Sequence, residues 1–369
     1  MTIEPSTSFI LESIEGDGDR GGWQASGYFA NDQAAVEFGR RVDVFWVHEG
    51  DGIWGDTTLA MSGSMLPQSV TWDIRQSRTP VTITTSNFFL DNAALRGIYF
   101  RQKTPIANPH ENADLRLGSV VQHIVEQHSN ISSTAFVQNE NGSYSATPTG
   151  GWSDTSNIDT IYSTKLSVFT RRQSNSLWQA VKDIGKNEFY VSYFGKDDAY
   201  NYEPHPVFKT TLDPITLDIT ADMIVGQPDV KFRDQVDMDQ VSLSALTDLG
   251  KILIAQYPAA IGAQGRSMVI TNLRCNDQNR LNNLAQRVYS FESRLYDLNL
   301  QLPGAAGLYL ELYDRVSFTY SGTTRNGVTF AFVAEPFFVS KIRVSRTGNF
   351  TAITELELSQ QNISGAIYA

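Results

Sequence analysis

The chain has 369 residues, 41% of them apolar, and a formal net charge of −11. At about 150 residues per domain this length predicts two or three domains, and the apolar share supports folded cores rather than disorder. The acidic balance argues against free nucleic acid as a ligand, because phosphate binding needs a basic surface.

Residues 1–103 are expected to form a first domain that is mostly β. Three stretches, starting at Val42, Val70 and Val81, show the period of two that a strand requires. Residues 48–58, rich in Gly and Asp, separate the first two and favour a hairpin or a long loop. These features predict an all-β domain with the form of a small barrel or sandwich.

Residues 104–213 are expected to form an α+β insertion domain. Two prolines in 104–113 indicate a linker, and Asp114 is positioned to cap the helix that follows. The apolar stripe of that helix consists of Leu117, Val120, Val121, Ile124 and Val125. A second helix is predicted from near Ser176 to a stop at Gly185, followed by a strand, a Gly-Lys-Asp-Asp turn and another strand.

A second β domain is predicted from residue 214 onwards, in two parts that comprise residues 214–245 and 305–369. Residues 246–304 are expected to form a helical insertion between these parts. Strand alternation is clearest from Arg315, and further period-two stretches continue towards the end of the chain.

Two helical stretches are expected near that insertion. The apolar residues 242–255 indicate a helical or mixed segment. The clearest helix of the chain follows Asn276 and Asp277, either of which is suited to cap it, and is expected to end at Pro303-Gly304. Its apolar stripe consists of Leu281, Leu284, Ala285, Val288, Phe291 and Leu295.

The sequence carries no mark of an oxidising compartment or of a membrane. Cys275, the single cysteine, has no second cysteine in the chain to form a disulfide with. The first residues lack the basic region and apolar run of a signal peptide, and no uncharged stretch approaches the roughly 20 residues of a membrane span. We therefore expect a chain without a membrane span that is assembled in a cytoplasm.

One helical motif, His-Ile-Val-Glu-Gln-His, resembles the metal-binding box of a metalloprotease. Metal-binding histidines on a helix stand four residues apart on one face, whereas His123 and His128 are five apart. That spacing places them roughly 140° apart around the helix, with Glu126 close to His123 alone. Polar surface positions beside an apolar stripe explain the motif better than a metal site does.

The sequence lacks the residues or the spacing that other catalytic and ion-binding motifs require. Glu15–Gly22 resembles a calcium loop, but Arg20 stands where such a loop needs Gly, so a flexible turn is expected. No nucleophile elbow or phosphate-binding Gly-Lys motif is present, and Cys275 has no activating partner close in sequence. We therefore predict no catalytic residue, no metal and no cofactor.

The order of segments resembles the baseplate hub family of bacteriophage tails, which also occurs in contractile injection systems. Three stretches carry the resemblance: the helix and strand at 176–195, the helix at 280–295, and the segment 299–322 with its turn at Leu312–Val316. The resemblance implies a mainly β fold with two tail-tube-like β-barrel domains and helix-containing insertions. The two barrels would be residues 1–103 and the split pair 214–245 and 305–369.

The resemblance also implies a function and partners. Three copies would form a pseudo-hexameric ring that joins the tail tube to the tip of a virion. The expected partners are two further copies, the tail tube or distal tail protein, and a spike, fibre or tape-measure protein. DNA would pass through the ring without specific binding, since acidic walls do not retain a polyanion.

Asp237 and Asp239 are the candidate residues for an acidic channel wall. Alternate residues of a strand share a face, so Val230, Phe232, Val236 and Met238 should point to the core and the two aspartates away from it. An ordinary solvated outer strand explains the same pattern equally well.

Two other functions remain open from the residues alone. A tail-tip carbohydrate-binding module would use clustered exposed aromatic residues. A glycosidase would use a carboxylate pair, for which Asp51 and Asp56, near Trp46 and Trp54, are the candidates. Sequence does not fix the separation of two carboxylates, and acid pairs are common in a chain with 40 acidic residues.

Overall fold

The fold is known from a computed structural model. The residues that it describes are 9–29, 41–47, 57–66, 79–92, 95, 98–102, 111–112, 116–128, 137–138, 144–145, 157–158, 168–171, 176–206, 213–232, 239–259, 267–292, 296–323, 329–347 and 351–360. No helix among these residues has the length and apolar character that crossing a bilayer demands.

The described elements are mainly strands, which confirms the mainly β fold class. The helices are α1 Asn87–Asp91, α2 Leu117–His128, α3 Leu177–Glu188 and α4 Gln278–Glu292. The strands are β1 Phe9–Asp17, β2 Gly22–Phe29, β3 Arg41–Val47, β4 Thr57–Met65, β5 Thr79–Thr84, β6 Ile98–Gln102, β7 Glu111–Asn112, β8 Val137–Gln138, β9 Tyr144–Ser145, β10 Asn157–Ile158, β11 Val168–Arg171, β12 Tyr190–Phe194, β13 Tyr200–Pro204, β14 Leu217–Thr220, β15 Asp229–Phe232, β16 Gln240–Leu246, β17 Ile252–Tyr257, β18 Ser267–Arg274, β19 Tyr296–Pro303, β20 Arg315–Thr323, β21 Thr329–Thr347 and β22 Thr351–Gln360.

The largest sheet joins strands from both ends of the chain. Its order is β15-β19-β22-β21-β1-β2-β5-β4-β3, with β20 paired to β21 and β14 paired to β20. The link is the antiparallel pair β1–β21, in which Ile14 lies opposite Val344. Among the described residues this path is open rather than closed, so two barrels per chain remain a prediction.

One apolar core packs against the large sheet. Its side chains come from the first five strands, from β12, β14, β19, β20, β21 and β22, and from residues 308–312. The largest fully buried ones are Trp23, Phe318, Phe337, Ile14 and Met61. At β19 the alternate residues Leu298, Leu300 and Leu302 are buried, as one core-facing side of a strand requires.

A second core belongs to the α+β unit. The predicted stripe of α2 is fully buried and packs with Leu177, Trp178, Val181 and Ile184 of α3. These helices cover the aromatic residues Phe194, Tyr200 and Tyr202 at β12 and β13. Helix α3 starts beside Ser176 as expected, and the structure shows that Ser176 caps it, since its side chain accepts a hydrogen bond from the main-chain N–H of Gln179.

The expected stop of α3 at Gly185 is wrong. The helix continues to Glu188 and ends where Phe189 adopts a left-handed conformation, with φ at 58°. A side chain at Gly185 would place its Cβ 3.0 Å from the carbonyl oxygen of Tyr190 and 3.5 Å from the ring of Tyr202. The glycine therefore lets helix and strands approach closely instead of ending the helix.

A third core lies between α4 and the three-stranded sheet β17-β16-β18. The helix buries Leu281, Ala285 and Val288 against Val241, Leu243, Ala245, Ala255 and Leu273. Asp277 caps α4, because its Oδ1 accepts the N–H of Asn279 at 2.8 Å.

Two predictions around this third core are wrong. Residues 242–255, expected to be helical or mixed, form most of β16 and β17, and the buried residues alternate with the period of a strand. The long helix ends at Glu292 instead of continuing to Pro303, and Tyr296–Pro303 is a strand of the large sheet. In both places the pairing of distant strands decides the conformation, and apolar content alone does not indicate it.

Candidate functional site: a buried charged turn

The turn between β12 and β13 is built from Gly195, Lys196, Asp197 and Asp198. Its geometry is local, since the N–H of Asp198 donates to the carbonyl of Gly195 at 3.0 Å and that of Gly195 to the carbonyl of Ala199 at 2.9 Å. Asp198 adopts a left-handed conformation with φ at 64°, which Asp tolerates better than most residues do. The predicted Gly-Lys-Asp-Asp turn is thus confirmed, and we call it the docking turn.

The docking turn is buried, although it carries three charged residues. Lys196 is 6% exposed and Asp198 is 1% exposed, whereas Asp197 faces solvent. Charged side chains are buried at this level only when polar partners compensate for the loss of water. The partners of Lys196 and Asp198 lie in four other segments, at Trp23, Ser62, Ser86 and residues 307–311.

Asp198 joins the turn to the end of β5. Its Oδ1 accepts the main-chain N–H of Ser86 at 2.6 Å, and its Oδ2 accepts the Ser86 hydroxyl at 2.7 Å. Both donors and the carboxylate are buried. Charge-assisted hydrogen bonds of this kind are stronger than neutral ones, so this contact fixes the α+β unit against the large sheet.

Lys196 joins the turn to the segment before β20. Its ammonium donates to the carbonyl oxygen of Leu308 at 2.5 Å and lies 3.4 Å from that of Gly307. The same ammonium lies 5.1 Å from the centre of the Trp23 ring, within the range of a cation–π contact. The main-chain N–H of Lys196 also lies 3.3 Å from both carboxylate oxygens of Glu311.

The charged groups of Lys196 and Glu311 change each other's pKa. Burial raises the pKa of the Glu311 carboxyl to about 7, although the Lys196 cation and its main-chain N–H act in the opposite direction. Burial lowers the pKa of Lys196, whereas the negative charges of Glu311 and Asp314 act to raise it. The pair is therefore electrostatically linked within a part of the protein that excludes water.

The hairpin turn at residues 17–22 contacts both the α+β unit and the segment before β20. Three of its carbonyl groups accept hydrogen bonds: that of Arg20 from the Trp178 indole at 3.0 Å, that of Gly21 from the N–H of Phe194 at 3.0 Å, and that of Gly18 from the Tyr313 hydroxyl at 3.2 Å. A turn is thus present where it was expected, and its backbone joins three separate elements; its flexibility stays a prediction.

Two small residues make that approach possible. Gly21 has φ at +72°, and a Cβ there would lie 2.4 Å from the Trp178 ring and 2.7 Å from the carbonyl oxygen of Ser192. A Cβ at Gly18 would lie 2.8 Å from the Tyr313 hydroxyl oxygen. Any side chain at Gly21 would therefore force α3 and the hairpin apart.

The segment before β20, which contacts Lys196, contains a turn that its own hydrogen bonds stabilise. Tyr313 adopts a left-handed conformation with φ at 67°, and the N–H of Glu311 donates to Asp314 Oδ2 at 2.9 Å. Val339 of β21 exchanges two main-chain hydrogen bonds with this turn, one with Tyr313 and one with Asp314. The apolar-Asp turn expected from the sequence thus leads directly into β20.

Two open clefts flank the junction. A cleft of about 380 Å³ is lined by Leu59, Tyr193, Asn201, Tyr309 and the docking turn. The other, of about 300 Å³, is lined by charged and aromatic residues that include Asp17, Asp19, His205, Lys341 and Glu357. Lys341 lies 3.1 Å from Glu15 and 3.7 Å from Asp17, so these charges compensate each other.

The structure describes the channel candidates only in part. Asp237 lies outside the described residues, as do Val236 and Met238. Asp239 is half-buried and directly precedes β16, so it does not continue the strand β15. Val230 of β15 packs against the main core as predicted, while Lys231 beside it is exposed.

The predicted metal motif lies on α2. The backbone at His123, Glu126 and His128 is helical, and their side chains lie outside the described part. Within the described residues, no three His, Cys, Asp or Glu side chains are arranged to hold a metal ion. Cys275 is buried, burial raises its pKa, and its thiol donates to the carbonyl of Asp277 at 3.2 Å.

The carboxylate pair considered for a glycosidase lies outside the described residues. This holds for Asp51, Asp56 and Trp54, and for the side chain of Trp46.

The sequence did not indicate the importance of Lys196, Asp198 and Glu311, whose partners lie more than a hundred positions away. The available signal was a charged turn directly after the apolar strand at Tyr190–Phe194, with no polar loop to separate them.

Comparisons with solved structures find chains of similar fold over nearly their whole length. A tail protein from Neisseria meningitidis MC58 aligns over 96% of this chain and 93% of its own, with a TM-score of 0.60 and 12% identity. A 43 kDa tail protein of prophage MuSo2 from Shewanella oneidensis aligns over 97% and 96%, with a TM-score of 0.56 and 8% identity. A prophage tail protein from Listeria monocytogenes EGD-e aligns over 99% and 93%, with a TM-score of 0.50 and 10% identity.

At this level of identity the similarity concerns the fold. No protein-family model matches the sequence, and no curated protein matches it. The resemblance to phage tail proteins that the sequence indicated is confirmed at the level of the fold, which this chain shares with all three.

Proposed function

We propose that this chain is a structural hub protein of a phage-type tail tip. The observation that carries the proposal is the shared fold with three tail proteins over at least 93% of each chain. In this function, three copies form a ring that joins the tail tube to the tip and lets DNA pass. The chain acts as a component of the virion, without catalysis and without a cofactor.

The ring is expected to use two β units of each chain. Residues 1–103 supply one unit, and residues 214–245 with 305–369 supply the other. The pair β1–β21 holds the two units in one sheet, which suits a ring whose six positions must keep a fixed spacing. The strands β3 and β15 at the ends of the described path are edges that neighbouring copies would cover.

The junction at the docking turn supports a structural function. A tail tip transmits force between the tube and its attached proteins, so its units must not move independently. Lys196, Asp198 and the hairpin turn tie the α+β unit to both parts of the large sheet through buried polar contacts. Buried networks whose groups all have partners restrict the structure to one arrangement.

The experiment is to purify the full chain, measure its mass in solution and average its images by electron microscopy. We expect a trimer with a central opening and six similar lobes. A chain that stays monomeric at high concentration, or a ring with a different symmetry, would contradict the proposal. Addition of the purified tail tube protein should then produce tubes that begin on the ring.

A further inference from the structure

The three-stranded sheet β17-β16-β18 has one covered side and one exposed side. The covered side carries the third core against α4. We call the exposed side, together with the β16–β17 turn, the outer face. Its residues include Ser242, Ser244, Leu246, Asp248, Leu249, Lys251, Ile252, Ile254, Gln256, Ser267, Val269, Thr271 and Arg274.

The outer face is unusually apolar for a surface of this protein. Leu249 is 97% exposed, Ile252 64%, Val269 62% and Ile254 59%. Of the residues in the three strands, Arg274 alone is charged, in a chain with 19% charged residues. Soluble monomers rarely expose large apolar groups in one contiguous patch, and such patches mark interaction surfaces.

The outer face is not flat, because small and large side chains alternate across its strands. The central strand β16 places Ser242 and Ser244 on it, with Ile254 beside Ser244 on one flank and Val269 beside Ser242 on the other. Small residues between larger ones form a shallow groove, which Ile252 and Ile254 flank on one side and Val269 on the other. Such a groove suits an apolar side chain from a partner.

Polar contacts hold this surface in place. Asp248 and Asn276 bond to each other through the main-chain N–H of Asp248, at 2.9 Å, and through their side chains. Gln278 at the start of α4 donates to the carbonyl of Ile254 at 2.9 Å. The hairpin is therefore tied to the helix, and a partner would not have to order it on binding.

One end of the outer face carries two basic residues, Lys251 and Arg274, and one acidic residue, Asp248, which is bonded to Asn276. Arg274 lies opposite Leu246 at the end of the strand pair, and Lys251 is exposed in the adjoining turn. These two positive charges stand out in a protein with a net charge of −11. They favour a partner that is acidic around a small apolar centre.

The same chain offers such a surface at residues 213–232, which we call the acidic strip. It carries four aspartates and one lysine, and Asp218, Asp222 and Asp229 are exposed. Two aliphatic residues between them are also exposed, Ile215 at 37% and Val225 at 43%. The acidic strip thus complements the outer face in charge and offers apolar side chains for its groove.

We propose that the outer face of one copy packs against the acidic strip of the next copy in the ring. This inference rests on the proposed function, because it assigns the surfaces through which the copies assemble. Two different patches on one chain make a head-to-tail contact, and such contacts close into rings when the rotation permits. Like charges oppose the approach of two acidic copies elsewhere, while here opposite charges meet around an apolar centre.

The first test measures the mass of the full chain by light scattering during size-exclusion chromatography over a range of concentrations. Ile254→Asp places a carboxylate in the groove, and we expect its assembly to need at least tenfold more protein. Val333→Asp is the matched control, since Val333 is 81% exposed on β21, outside both surfaces. It should assemble as the wild type does.

The second test reverses the charges. Lys251→Glu with Arg274→Glu should weaken assembly, and adding Asp222→Lys and Asp229→Lys to the same chain should restore it.

The fourfold variant has the same net charge as the wild type, so a matched control combines Lys251→Glu and Arg274→Glu with Glu12→Lys and Glu357→Lys, at exposed positions outside both surfaces. This control restores the net charge equally and should not restore assembly. Assembly of the fourfold variant no better than that of the double variant would overturn the inference.

The outcomes separate the two proposals. A wild-type ring together with an Ile254→Asp variant that still forms the ring overturns the inference and leaves the hub function standing. A wild-type chain that remains monomeric overturns the ring, and the inference with it. Thermal melting by circular dichroism checks the fold of each variant. If Ile254→Asp unfolds, Ile254→Ser takes its place with the same expected direction.

Discussion

The main-chain N–H of Lys196 lies 3.3 Å from both carboxylate oxygens of Glu311, while the Lys196 ammonium reaches past it to the carbonyl of Leu308. One residue of the docking turn therefore uses its backbone and its side chain to hold the same segment. The contact joins positions 115 residues apart in sequence. It links the α+β unit directly to the segment that leads into β20.

Removal of the Asp198 carboxylate should destabilise the protein strongly. In Asp198→Ala, the buried N–H and hydroxyl of Ser86 lose their acceptors, at an expected cost of about 3 kcal/mol in the free energy of unfolding. Asp197→Ala is the matched control: its side chain is exposed and accepts the N–H of the nearby Ala199, so a cost of about 1 kcal/mol is expected. Urea titration measures both, and equal losses would contradict the assigned importance of Asp198.

Gly21→Ala should be more costly than Gly250→Ala. Both glycines have positive φ, 72° and 75°, so each alanine incurs a backbone cost of about 1 kcal/mol. Only Gly21 is enclosed, with Trp178 and Ser192 in the way of a Cβ, whereas nothing lies within 4 Å of one at Gly250. We expect the additional loss at Gly21 to be about 1–3 kcal/mol. Thermal unfolding of the two variants gives the comparison.

Glu311 should make stability depend on pH between about 4.5 and 7. Its pKa is raised in the folded protein, so the folded state binds more protons than the unfolded state in this window. Stability from this group is therefore fully present below pH 4.5, the ordinary value, and is lost as pH rises through about 7. The groups that act on it are Lys196, Asp314 and Asp197.

The variant Glu311→Gln tests this pH dependence. It removes the titrating proton and retains an acceptor, so the fall in stability between pH 5 and 7 should become shallower. The difference over the whole window is expected to be about 3 kcal/mol, at about 1.4 kcal/mol per pKa unit. Urea titrations at several pH values measure it, and parallel curves for both proteins would show that Glu311 ionises normally.

The channel prediction needs assembled particles. Asp237→Lys with Asp239→Lys should leave assembly intact and slow the ejection of DNA, because cations on a channel wall attract a polyanion that carries about one charge per 1.7 Å. Added salt should relieve the defect by screening. The change Glu12→Lys, at an exposed position of β1 outside both proposed assembly surfaces, is a control of the same charge type. Normal ejection by the double variant would remove these aspartates from the channel.

Several elements could be predicted because their signal is local. The stripe of α2 from Leu117 to Val125 and the cap of α3 at Ser176 depend on neighbours within one or two turns of a helix. The strand from Arg315 likewise shows its own alternation. The Asp314 turn before it depends on residues three positions apart.

Other elements depended on partners that sequence does not indicate. Leu298, Leu300 and Leu302 continue an apolar pattern that a helix begins, and they become a strand because β22 and β15 pair with them on either side. The outer face has the same origin, since residues 242–255 become two strands only when β16, β17 and β18 align.

The sequence by itself determined the mainly β character, the order of the segments and their resemblance to tail hub proteins, because these rest on periodicity and turn residues. The tertiary structure decided which charges are buried and which apolar residues remain outside. Lys196 and Asp198 resemble ordinary surface residues until Leu308 and Ser86 meet them. Ile254 resembles a core residue until α4 covers the other side of its sheet. Burial depends on what approaches a side chain in space, and that is settled by contacts between distant parts of the chain.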